Sequence, residues 1–133
     1  MKLTRASKYA LDAVAFMASQ KHDRPVASHH IAHARGIPER FLLKVLKPLV
    51  SARVLLSIKG PNGGYRLAKP AGAITMLEVL EAVDGPIRGQ APPNHGEADG
   101  PLHHKLENIC KQTAEQTRKH LDKVRMSDLL VKR

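Results

Sequence analysis

Apolar residues recur at spacings of three and four near the start of the chain, where Ala6, Tyr9, Ala10, Ala13, Val14 and Met17 form one stripe. The pattern predicts a helix from Thr4, whose hydroxyl can cap it, to about Gln20. After a polar turn at residues 21–24, Pro25-Val26-Ala27 reads as a short extended piece. Ser28 reads as the cap of a second helix ending at Gly36. Gly36-Ile37-Pro38 is a tight turn into a third helix, with Pro38 at its first position, where a missing N–H costs nothing. Glu39 then favours the positive end of the helix dipole. Phe41, Leu42, Val45, Leu46, Leu49 and Val50 make the stripe this third helix is expected to bury. Pro48 removes a backbone hydrogen bond at a cost of about 3 kcal/mol in a regular interior, so a kink or an early end is expected there.

Further on, residues 54–59 form a β-rich run, followed by Gly60-Pro61-Asn62-Gly63-Gly64 and then by residues 65–69. Two short strands around the Asn62-Gly63 turn are predicted, because that dipeptide tolerates the positive φ of hairpin turns. Thr75 followed by Glu78 is a capping box that opens a fourth helix, and Asp84-Gly85-Pro86 stops it. Residues 86–100 are rich in proline and glycine and predict no regular structure. Pro101 starts a long final helix with Leu102, Leu106, Ile109, Thr113, Thr117, Leu121 and Val124 on roughly one side. That seam is too thin to fold alone and adequate to pair with a second copy, with a further short helical turn near residues 126–130. The expected fold is mainly α with a small β-hairpin wing. It comprises a winged helix-turn-helix over residues 1–84, a flexible loop over 85–100, and a dimerisation helix with its tail over 101–133.

Composition supports a helical core: hydrophobic residues make up 42% of the 133, aromatics only 3%, and tryptophan is absent. Leu, Val, Ile, Ala and Met must therefore fill the interior, which suits helices better than a sandwich. The formal charge of +10 is unevenly placed. Residues 1–70 carry 13 Lys/Arg against 3 Asp/Glu, whereas residues 71–133 carry 9 against 9. A polyanion binder concentrates positive charge where counterions leave phosphates, so double-stranded DNA is the expected partner. No signal-like apolar core opens the chain and no stretch approaches a membrane span, so no membrane is expected and the compartment is expected to be cytoplasmic.

On the third helix, Arg40, Leu43, Lys44 and Lys47 lie at spacings of three and four, opposite the apolar stripe. Arg40, near the helix start, can reach a base edge, while Lys44 and Lys47 suit phosphates. Lys59, Arg66 and Lys69 bracket the glycine-rich tip, and Lys59 is the natural probe of a sugar-phosphate ridge or minor groove.

These residues also carry a family likeness. Lys2-Leu3-Thr4 with Tyr9-Ala10, the span from Ile37 to Leu49, and above all Gly60-Pro61-Asn62-Gly63-Gly64-Tyr65-Arg66-Leu67 resemble the Rrf2 winged-helix regulators, among them IscR, NsrR and CymR. The resemblance runs without gaps through residue 84 and more loosely to the end. It implies a homodimer held by the long C-terminal helix, binding a pseudo-palindromic operator, usually as a repressor. It places the positions of Arg40 and Leu43 in the recognition helix and that of Lys59 in the wing. The candidate DNA-contacting set is therefore Ser28, Pro38, Arg40, Phe41, Leu43, Lys44, Lys47, Lys59, Gly60, Pro61, Asn62, Gly63, Gly64, Tyr65 and Arg66.

Many members of that family hold an iron-sulfur cluster in the loop matching residues 86–104. Here the family's Cys-Pro-Leu-His element reads Gly100-Pro101-Leu102-His103, and the loop before it holds no thiol. Cluster irons need several thiolates or an unusual set of nitrogens and carboxylates in their place. Some relatives recruit a ligand from the first helix, where this chain offers Lys8, a cation, and Asp12, a solitary carboxylate. No cluster and no other cofactor is expected. The family's usual glycine at the turn after the third helix is Arg53 here, which must bear a left-handed conformation or reshape the turn.

Other chemistry is thinly signalled. His29 and His33 share a helical face, yet His30 stands where a zinc protease needs its general-base glutamate. His95, His103, His104 and the sole cysteine, Cys110, form an alternative sensor set for a metal, haem or redox signal. Control by a protein partner is a further alternative, and the effector is not identified by the sequence. No nucleophile-base-acid set and no phosphate-cradling loop before a helix occurs, so catalysis is not expected.

Overall fold

The computed structural model describes residues 1–92 and 100–131. Helix α1 spans Arg5–Ala18, and Thr4 caps it, its hydroxyl accepting from Ser7 N at 3.0 Å. Ala10, Ala13 and Val14 are fully buried, as their spacing requires. Helix α2 (Ser28–Arg35) ends at Gly36, whose φ of 65° closes it in a left-handed cap. Asp12 joins these two helices, accepting from Lys8 Nζ at 2.8 Å and from the Arg35 guanidinium at 3.3 Å.

Helix α3 runs Glu39–Ser51 and continues through Pro48, so the early end expected there does not occur. Leu42, Val45, Leu46 and Leu49 are buried, and their packing on α1 and α4 outweighs the hydrogen bond that the proline ring removes. Two expected helix starts shift by one residue. Ala27 rather than Ser28 is the N-cap of α2, and Pro38 is the N-cap of α3 rather than its first residue, its carbonyl accepting from Phe41 N and Leu42 N at 3.0 Å. Ser28 is drawn off by a tertiary partner: its hydroxyl donates to Glu39 Oε1 at 3.2 Å, linking the two helices of the motif. Arg53 takes the left-handed alternative, with φ 63°.

Strands β1 (Leu55–Ile58) and β2 (Gly64–Leu67) pair antiparallel, with Leu55 opposite Leu67 and Ile58 opposite Gly64. This register leaves residues 59–63 as the loop, longer than a two-residue Asn-Gly turn. Positive φ falls on Gly60 (113°) and Gly64 (150°) rather than on Asn62-Gly63. Gly60 N-terminal to Pro61 and Asn62 closes a β-turn in which Gly63 N donates to Gly60 O at 2.9 Å. Gly64 is forced by proximity: a Cβ there would lie 2.4 Å from the carbonyl oxygen of Val26. Val26 itself bridges β2 by reciprocal hydrogen bonds of 2.8 Å with Tyr65, so the extended piece before α2 becomes a third rung of the wing.

A 3-10 turn at Ala71–Ala73 leads into α4 (Met76–Asp84), which opens with the predicted Thr75–Glu78 capping box and stops at Gly85 (φ 83°). Helix α5 covers Pro101–Lys123 and α6 covers Met126–Leu129. The end of the chain folds back onto its beginning. Met76 N donates to Val124 O and Met126 N to Ile74 O, each at 2.8 Å, and Met126 is fully buried. Arg118 adds a two-bond fork onto Glu81 across α4 and α5.

Candidate nucleic-acid interface

Burying one side of α3 decides what the other side presents. At about 100° per residue, the row opposite Leu42, Val45, Leu46 and Leu49 is Arg40, Lys44 and Lys47. All three are exposed, with Leu43 along one flank and Phe41 along the other. Phe41 departs from the expected stripe: it is 43% exposed and Val50 only half-buried. The ring instead lies among cations, with Arg40 Cζ 5.6 Å and Lys44 Nζ 5.8 Å from its centroid. Such contacts hold a guanidinium and an ammonium beside the ring without neutralising either.

Charge pairing engages several cations away from this row. Lys8 and Arg35 meet Asp12, Lys69 Nζ meets Glu78 Oε1 at 2.8 Å, and Arg118 meets Glu81. Among the described residues no carboxylate lies within ion-pair distance of Arg40, Lys44, Lys47, Lys59 or Arg66. The exposed row of α3 and the wing therefore carry positive charge that no neighbouring carboxylate offsets. Lys69, expected to bracket the wing tip, is instead held at the start of α4.

The wing loop divides by role. Lys59, Gly60, Pro61 and Asn62 are exposed, while Gly63, Gly64 and Tyr65 are half-buried. A Cβ on Gly63 would fall 2.1 Å from Ile58 O, so its place in the motif is explained by chain packing. Tyr65 packs against the core and pairs through its backbone with Val26, which gives it a structural part in seating the wing. Ser28 and Pro38 sit at the mouth of the helix-turn-helix, Ser28 bonded to Glu39 and Pro38 exposed.

On α5, Leu102, Leu106 and Ile109 are exposed, Ile109 to 58%. The Thr113 hydroxyl donates to Ile109 O at 2.8 Å and that of Thr117 to Thr113 O at 2.9 Å, which leaves their methyl groups to continue the apolar row. Leu121 does not join it. At 5% exposure it lies in the core of its own chain, on the side of α5 that carries His103, Cys110 and Ala114, which precede it at same-face spacings. Val124 is half-buried and committed through its carbonyl to Met76 N.

Among the described residues, the sensor candidates do not converge. His95 lies outside the described residues. The His103 and His104 rings meet edge to face, His103 Nε2 is 3.9 Å from Glu107, and Cys110 is half-buried where its carbonyl packs against Gly89. His29, His30 and His33 are exposed on α2, with the His30 ring 5.8 Å from that of Phe16. Among the described residues, no three His, Cys, Asp or Glu side chains come together as a metal site. No helix among them is long and apolar enough to cross a membrane.

The family model for Rrf2, described as "Iron-dependent Transcriptional regulator", matches residues 3–132. The chain belongs to the Rrf2 family. Its similarity to curated proteins includes the helix-turn-helix-type transcriptional regulator IscR of Photobacterium profundum, 35% identical over 99 residues that cover 74% of this chain and 56% of that protein. It also includes the protein aau3 of Rhizobium meliloti, 33% identical over 102 residues covering 77% of this chain and 66% of that one. The chain thus spans about half to two thirds of the length of these relatives. Among solved structures, CymR of Bacillus subtilis, the global cysteine regulator of that organism, superposes with a TM-score of 0.74 at 25% identity. That match covers 97% of this chain and 95% of CymR. IscR of T. potens shares the fold, with a TM-score of 0.74 at 19% identity. An Rrf2 winged helix-turn-helix is therefore the architecture that presents the unpaired cations.

Proposed function

We propose that this Rrf2 chain is a sequence-specific DNA-binding transcription regulator without catalytic activity, working in the cytoplasm as a homodimer on a pseudo-palindromic operator and repressing by occupying it. The observation that carries this reading is the exposed row of Arg40, Lys44 and Lys47 opposite the buried side of α3, which, like Lys59 and Arg66 of the wing, has no carboxylate within ion-pair distance among the described residues. Helix α3 fits a major groove, and Lys59 with the exposed residues of the wing loop fits the adjacent backbone or minor groove. The apolar row from Leu102 to Thr117 supports pairing with a second copy, which would set two reading helices against two half-sites.

We further propose that the regulator works without an iron-sulfur cluster. The donor chemistry supports this: Cys110 is the sole thiol in the sequence, Asp12 is already engaged by two cations, and His103 faces Glu107. No step is assigned to iron.

Titrating the full chain onto a duplex selected from a random pool, across a range of salt, tests the reading. Affinity should fall steeply as salt rises, with log K linear in log salt. A chain that is monomeric and shows no attraction to any duplex at low ionic strength would overturn it.

A further inference from the structure

The reading face of α3 has an unusual chemical inventory. Arg40, Lys44 and Lys47 supply hydrogen-bond donors only, and Phe41 and Leu43 supply hydrocarbon, 43% and 44% exposed. Glu39 is the sole carboxylate on the helix; it stands at the edge next to the buried side and accepts from Ser28 Oγ. Neither Asn nor Gln occurs in α3, and Ser51 stands at its far end. Nothing along the exposed row can accept a hydrogen bond from the exocyclic amine of adenine or cytosine, the group through which Asn, Gln, Asp and Glu read bases.

We infer that this face reads DNA by donors and apolar contacts alone, Arg40 recognising the O6/N7 acceptor edge of guanine while Leu43 and Phe41 recognise the 5-methyl group of thymine. The inference rests on the proposed DNA-binding function and specifies its chemistry. Arg40 is the donor best placed for a planar acceptor edge, because it sits in the first turn and its guanidinium is held beside the Phe41 ring. Lys44, on the same ring, and Lys47, further along, are point charges without a fork and suit phosphates. Leu43 and Phe41 flank that row, where exposed hydrocarbon gains only if a methyl or a sugar covers it.

The test uses the full chain and its best duplex from a randomised pool, with single atoms removed from bases at the positions whose preference Arg40→Ala or Leu43→Ala relaxes. Replacing guanine by 7-deazaguanine should weaken binding about tenfold. Arg40→Ala should abolish that sensitivity. Replacing thymine by uracil should weaken binding about fourfold, the value of one buried methyl, and Leu43→Ala should abolish it. Purine in place of adenine, which lacks the exocyclic amine, should leave affinity within about twofold. Loss of affinity with the adenine amine, or full retention of the guanine and thymine sensitivities in both variants, overturns the inference while leaving DNA binding intact. Absence of any salt-dependent duplex binding overturns the underlying function as well. Both side chains are exposed, and an unchanged thermal melt of each variant separates loss of reading from loss of fold.

Discussion

Thr4 Oγ1 donates to Asp84 Oδ1 at 2.9 Å, so the residue that starts α1 is tied to the residue that ends α4. The same threonine oxygen accepts from Ser7 N, and the Ser7 hydroxyl donates to the Asp84 carboxylate. Thr4→Val should remove both the cap and the link and lower stability by about 1–2 kcal/mol. Asp84→Ala should cost a similar amount, and the double variant should cost less than the sum. Urea unfolding at fixed chain concentration checks this, since the stability of the proposed dimer would depend on concentration. Strict additivity would show that the two ends of the helices are not coupled.

Arg53 holds φ 63° where a side chain is strained. Arg53→Gly should relieve that strain and stabilise the fold by about 0.5–1 kcal/mol, the relief being partly offset by the greater freedom of glycine in the unfolded chain. A lower urea midpoint for the glycine variant would contradict this account of the turn.

Gly64 is the opposite case. Gly64→Ala places a methyl against the Val26 carbonyl in a backbone conformation that alanine rarely adopts, and should cost at least about 2 kcal/mol. Thermal unfolding followed by circular dichroism reads the loss. Gly36→Ala, where a Cβ meets nothing within 4 Å, isolates the φ contribution and should cost less.

Lys44 and Lys69 separate free from paired charge. Lys44→Ala should weaken binding to all duplexes alike and reduce the slope of log K against log salt by about one phosphate's worth. Lys69→Ala, whose ammonium is held by Glu78, should leave that slope unchanged. Equal slopes for both variants would mean that the α3 lysine does not meet phosphate.

Two apolar positions of α5 should fail in different ways. Ile109→Asp should convert the proposed dimer into monomers in sedimentation while each chain keeps its helical spectrum, because the side chain is exposed. Leu121→Ala should instead destabilise the chain itself by about 2–5 kcal/mol, as truncation of a buried leucine does.

Local rules written into the sequence account for much of this molecule: the Thr4 cap, the Thr75–Glu78 box, the Gly36 stop, the period of α1 and α3, and the row Arg40, Lys44 and Lys47 all depend on residues within one or two turns of each other. Spacing could not tell that Phe41 would stand among cations, because a residue at the border of an apolar stripe is buried or exposed by the neighbour that packs there. Nor could it give Leu121 to the core, move the positive φ to Gly60 and Gly64, or bind Lys69 to Glu78 and Ser28 to Glu39. Those outcomes depend on segments far apart in the chain meeting at ångström distances, and periodicity carries direction around a helix but no information about what lies opposite.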